Sequence, residues 1–218
     1  MAAVVTVALG VPTGLGAERD GENAAVRYLR ADVALRQSYP LPPDAGSKLE
    51  KALESPLDGE DEKLVAAADE ALVEFHHGAA LKTCDWELSI EDGPLADTSH
   101  RGAIKELVAV SGLRARLRFR DGNLPGAMND ALAAMAAARR LSVDGTLASV
   151  LFAYKLERMI AGVLERNLDQ FSPSQLNELA IGLDALPSGS SLGGAFEALR
   201  STVAQLTPVT AQLTAVAT

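Results

Sequence analysis

The sequence predicts an all-α fold, an irregular array of about seven or eight helices, on three observations. Hydrophobic residues make up 48% of the 218-residue chain but aromatics only 4%, so the core must come from Leu, Ala and Val. Such a composition favours packed helices over paired sheets. Apolar residues recur at three- and four-residue steps, the helical period, and no stretch reads as a strand. Start and stop signals punctuate these periodic runs at helix-length intervals.

From the N-terminus, Ala2 to Val11 is an apolar run followed by small residues through Ala17. It resembles the apolar core and cleavage site of a secretory signal, without the positive residues that normally precede them. Two readings of residues 1–19 stand: an export signal, which favours a periplasmic or secreted location over the cytoplasm, or a disordered N-terminus. A single helical domain is expected over 20–206, with a frayed tail over 207–218.

Residues 23–39 read as a helix, with Ala25, Leu29 and Val33 at four-residue steps, flanked by Tyr28 and Leu35. Pro40, Pro42 and Pro43 stop it. A short helix follows over 47–54, closed by Pro56, and then a longer one over 61–78 with Leu64, Ala68, Ala71, Leu72 and Phe75 inward. Residues 79–99 form the least regular stretch, the kind of loop in which function concentrates.

The most legible region is an antiparallel hairpin over 104–141. In its first helix Ala103, Leu107, Val110 and Leu117 share a face. In its second, Ala127, Ala131, Ala134 and Ala138 form a small-residue stripe that lets two helix axes approach closely, with Met128, Leu132 and Met135 beside it. Gly122 suits the left-handed residue that ends a helix, Asn123 caps the next, and Pro125 sits in the first turn where its missing N–H is harmless. A long helix is expected over 146–168. Ser172-Pro173-Ser174-Gln175 is a capping box opening another helix that ends by Pro187, and a last helix spans 195–206.

The 104–141 hairpin resembles a tetratricopeptide-type repeat, with Gly122, Ala127 and Ala134 where that pattern places small residues. It departs from it at Ser111 and Arg118, which stand where the repeat has large aromatics, and at Arg139, where it has a closing proline. No second copy follows at a step of about 34 residues. More broadly, NAAVRYLRADVAL, CDWELSIEDGP and LRARLRFRDGNLPGAMNDALAAMAAARRLSVDGTL resemble a group of uncharacterised bacterial helical proteins, over most of residues 22–187. That resemblance implies an all-helical domain behind an export signal and carries no activity with it.

Net charge is −9, which argues against nucleic-acid binding, since that needs a basic face. The charge is uneven: residues 44–97 hold 15 acidic and 4 basic side chains, whereas 101–120 hold 6 basic and 1 acidic. These segments are expected to face each other or to be solvated separately. The lone cysteine, Cys84, excludes an intramolecular disulfide, and no run is apolar enough for an integral membrane span.

Arg114 falls on the apolar face of its helix with Arg118 close by, so its guanidinium needs a carboxylate. Asp130, on the facing helix, is the expected partner and Asp85 the second candidate. The functional alternative is an anion pocket made by Arg114 and Arg118 with Trp86 and Asp85 of the 79–99 loop. Cys84, His100 and His76 are candidate metal ligands with Asp85 and Asp97 nearby, although their spacing matches no closed zinc pattern. Cys84 with His100 is also a candidate nucleophile and base, lacking an evident third residue to orient them. The glycines of GVPTGLG have neither the preceding strand nor the following Lys of a phosphate loop. Glu157 and Glu165 lack the Glu-x-x-His partners of a di-iron bundle. No cofactor is expected.

The function expected from these residues is that of a non-catalytic helical scaffold or protein-interaction module, with a protein partner and an oligomeric state the sequence leaves open. The alternative is a small-ligand or metal binder using the 79–99 loop and Arg114/Arg118. A scaffold should expose an apolar groove, a ligand binder should close a pocket around the loop and the arginines, and an enzyme should hold the Cys84 sulfur against an imidazole.

Overall fold

A computed structural model describes residues 22–42, 44–86, 99–143, 145–197 and 200, and every regular element among them is helical. In chain order they are α1 (Ala24–Ser38), α2 (Ala45–Glu54), α3 (Gly59–Ala67), α4 (Asp69–Ala80), α5 (Ser99–Arg120), α6 (Leu124–Arg140), α7 (Leu147–Glu165), a 3-10 turn (Leu168–Gln170) and α8 (Pro173–Asp184). Residues 192–197 are helical as well. The expectations for residues 1–19, for most of the 79–99 loop, for the end of the last helix and for the tail lie outside the described residues.

The α5–α6 hairpin is the centre. Gly122 takes φ 75°, the left-handed conformation that ends α5. The Asn123 carboxamide oxygen then accepts from the Gly126 N–H at 3.1 Å to start α6. Ala127, Ala131, Ala134 and Ala138 are all buried, as are Leu107, Val110 and Leu117 opposite, so the small-residue stripe does seat one helix closely on the other. Gly112 makes a second close approach: a Cβ there would meet Ile160 Cδ1 and Leu53 Cδ2 at 2.9 Å. The absent side chain lets α7 and α2 pack directly on α5.

Around the hairpin, α1 and α4 pair on one side, α2 and α3 lie along α5, and α7 lies along α6. Their buried side chains form one continuous apolar cluster from Ala24 to Leu179. The expected single helix over 61–78 is two helices. The chain turns at Ala68, where ψ is 7°. Its backbone groups stay bonded, N–H to Leu64 and C=O to Leu72 at 2.9 and 2.8 Å, so the bend leaves no orphaned donor. The reason is packing: α3 lies on α5, whereas α4 lies on α1 and α6, and no straight helix reaches both. Ser172 and Gln175 form the expected capping box at α8.

The basic and acidic segments do meet. Lys105 binds Glu50 at 2.7 Å, and Arg120 binds Glu62 at 2.5 Å. Arg116 instead donates to the Ala52 and Ser55 carbonyls at the end of α2, where cations are favourable.

Candidate functional site

Arg114 meets Asp130 as the helical angles require. Its Nη2 donates to Asp130 Oδ1 at 2.7 Å and its Nε lies 3.1 and 3.2 Å from the two carboxylate oxygens. Arg118 Nη1 binds the other oxygen at 2.9 Å, and Arg114 Nη1 lies 3.5 Å from Asp69. The Ser111 hydroxyl donates to the Asp130 carbonyl at 3.0 Å. Asp130 has no solvent exposure at all. Two guanidiniums therefore face two carboxylates, and Asp130 fills the place that an anionic ligand of Arg114 and Arg118 would take.

His76 joins this cluster. Its Nε2 lies 2.9 Å from Asp130 Oδ1 and 2.9 Å from Arg114 Nη2. Arg114 only donates, so the imidazole serves one contact at a time. With a proton on Nε2 it donates to Asp130; without one it accepts from Arg114.

Trp86 and Asp85 are placed elsewhere. The Trp86 ring stacks between His100, at 4.8 Å between centroids, and Tyr28, at 6.0 Å, and its indole N–H donates to the Arg140 carbonyl at 3.0 Å. The Asp85 N–H donates to the Asn23 side chain at 2.9 Å, and the Asp85 carbonyl accepts from it at 2.6 Å, which closes the start of α1 against this strip. His76 and His100 thus belong to separate clusters. Among the described residues no three of His, Cys, Asp and Glu come together in a group able to hold a metal ion.

Arg140 carries this second cluster and is not a candidate from sequence, where it reads as one of two basic residues closing α6. It is buried. Its Nη1 donates to the Tyr28 hydroxyl at 2.8 Å, and the guanidinium also donates to the carbonyls of Gly78 and Leu81 at the end of α4. Burial pushes the Tyr28 hydroxyl well above the usual phenol range, against the opposing pull of Arg140, so Tyr28 stays a neutral acceptor.

Cys84 packs against the core beside these groups. Burial pushes its thiol up to about 11, outweighing Arg140, which pulls it down. At neutral pH the thiolate, the reactive form, is roughly a hundredfold scarcer than for a thiol of ordinary pKa 9.0. Labelling of the folded protein by a thiol-disulfide reagent at pH 7.5 is therefore expected to be slow and to accelerate with pH. Labelling at neutral pH as fast as a free thiol would contradict the burial argument.

The remaining feature is a groove of about 460 Å³ between α1 and α4, lined by Val26, Leu29, Arg30, Val33, Glu70 and Glu74 among others. Val26, Leu29 and Val33 are 45%, 47% and 53% exposed, and Val73 on α4 is 47% exposed. The four-residue spacing of Leu29 and Val33, which in the sequence reads as the axis of the helix's apolar stripe, lies on the outside. The core is served by Ala24, Ala25, Tyr28, Ala31 and Leu35. Arg27 binds Glu74 at 2.8 Å at the groove's edge. That hydrogen bond holds the Glu74 carboxyl below the usual carboxylate range, with Arg30 adding to the effect.

The chain matches no protein-family model, no curated protein and no solved structure. Among the described residues, no helix is long and apolar enough to cross a membrane.

Proposed function

We propose that this chain is a non-catalytic helical interaction module whose docking face is the α1–α4 groove, receiving a helical surface of a protein partner. The observation that carries the reading is the run of Val26, Leu29 and Val33, each about half exposed, along the α1 side of the groove, with Val73 half exposed on α4. Apolar side chains in a row at helical spacing, rimmed by charge, suit the helix-in-groove mode of recognition. The side chains with chemical potential point the other way: Arg114, Arg118 and His76 serve Asp130, and Trp86 and His100 stack on each other.

The test places a photo-crosslinking amino acid at position 33 or, as a control, at exposed position 158 on α7, in native cells. The expected result is a protein adduct from position 33 that is absent from position 158 and is abolished by Leu29→Glu. No protein adduct at 33, or one indifferent to Leu29→Glu, would overturn the reading.

A further inference from the structure

We infer that the partner seated on the α1–α4 face is a second copy of this chain, an inference that rests on the docking reading above and supplies its occupant. The face is self-complementary, the property a two-fold interface demands of a single surface.

The register of the two helices supplies the first half. Helices α1 and α4 run antiparallel: the Ala24 N–H donates to the Thr83 carbonyl at 2.9 Å, and the Tyr28 ring lies 5.5 Å from that of Phe75. Counting along both helices from those contacts, Val73 stands level with the gap between Leu29 and Val33. Glu70 stands level with Ala34, within one helical turn of Arg30. A two-fold axis running along the groove lays α1 of each copy over α4 of the other at the same level. The second copy's Val73 then falls between Leu29 and Val33, a knob entering the hole that the exposed stripe leaves open.

Charge supplies the second half. Among the described residues neither Arg30 nor Glu70 is held in an ion pair. The nearest carboxylate of opposite sign to Arg30 on α4, Glu74, is already bound by Arg27. The same rotation brings Arg30 of each copy beside Glu70 of the other. One face thus holds both knob and hole, and both unpaired signs of charge. A partner of different sequence would need to match all four features. A second copy supplies them without further condition.

The experiment uses the purified full chain in sedimentation equilibrium. The wild type is expected to form a dimer whose population rises with concentration. Arg30→Glu alone and Glu70→Arg alone each place like charges in contact twice across the interface and are expected to weaken the dimer about tenfold or more. In the first variant positions 30 and 70 are both acidic, and in the second both are basic. Mixed in equal amounts, the two variants should therefore dimerise with each other in preference to themselves. The double variant should recover the self-dimer. Circular dichroism on each variant checks that these exposed positions leave the fold intact.

A wild type that stays monomeric at all concentrations, or single variants that dimerise as well as it does, would overturn the second-copy inference. The in-cell crosslink from position 33 separates the two levels. A monomeric chain that still crosslinks there to a different protein sinks the inference and keeps the docking reading. A monomeric chain with no such crosslink sinks both.

Discussion

Asp130→Ala is expected to destabilise the fold by about 3–5 kcal/mol, the range for leaving buried charge without its counter-ion. The carboxylate is fully buried and satisfies Arg114 and Arg118 at once. Its removal leaves two guanidiniums confronting each other, with Asp69 the one remaining carboxylate among the described residues, 80% exposed on its side chain and 3.5 Å away. Asp69→Ala should cost under about 1 kcal/mol, as an exposed partner does. Urea titration of the three proteins measures the difference. Replacing Asp130, Arg114 and Arg118 together by Leu, Met and Met should recover much of the loss, because buried ion clusters often stabilise no more than well-packed apolar side chains. Equal, small effects from Asp130→Ala and Asp69→Ala would mean that water reaches the cluster.

Arg140→Ala is expected to cost about 3 kcal/mol, by a different route. Among the described residues Arg140 neutralises no carboxylate; it donates to two carbonyls at the end of α4 and to the Tyr28 hydroxyl. Truncation takes the donor from the Tyr28 hydroxyl and the Leu81 carbonyl and leaves the Gly78 carbonyl with the Leu81 N–H at 3.2 Å, and each unsatisfied group carries a desolvation cost of order 1 kcal/mol or more. Its neighbour is the control. Arg139 pairs with Glu157 at 3.3 Å in a partly exposed setting, so Arg139→Ala should cost under about 1 kcal/mol. Because the Arg140 carbonyl holds the indole of Trp86, thermal melts followed by tryptophan fluorescence report the same site. Comparable melting temperatures for the two variants would refute the account.

Local chemistry explains which features are legible in the sequence. Gly122, Asn123 and Pro125 act on their own backbone, and so do Ser172, Pro173 and Gln175, so turn and cap follow from residue type alone. The Arg114–Asp130 pair is legible because both residues sit on helices joined by a short turn, whose relative placement is nearly forced. Arg140 is not, because its acceptors Gly78 and Leu81 lie about sixty residues earlier and nothing local separates it from Arg139. The groove escapes a sequence reading for a related reason. Helix α1 offers two interleaved apolar stripes, one through Tyr28, Ala31 and Leu35, the other through Val26, Leu29 and Val33. Spacing is equally helical in both, and only the position of α4 decides which one turns inward. The bend at Ala68 likewise has no glycine or proline to announce it.

Loop length gives the α1–α4 pair a further significance. The central hairpin closes through a turn of residues 121–123, at small cost in chain entropy. The bonds that dock the outer pair, Asn23 to Asp85 and Arg140 to Gly78, each span 62 residues, and closure cost grows by roughly 0.6 kcal/mol per doubling of loop length. The layer bearing the exposed groove thus depends on distant contacts to stay assembled. Whatever occupies the groove adds its binding free energy to that layer's closure, so occupancy and the integrity of the outer helices are thermodynamically linked.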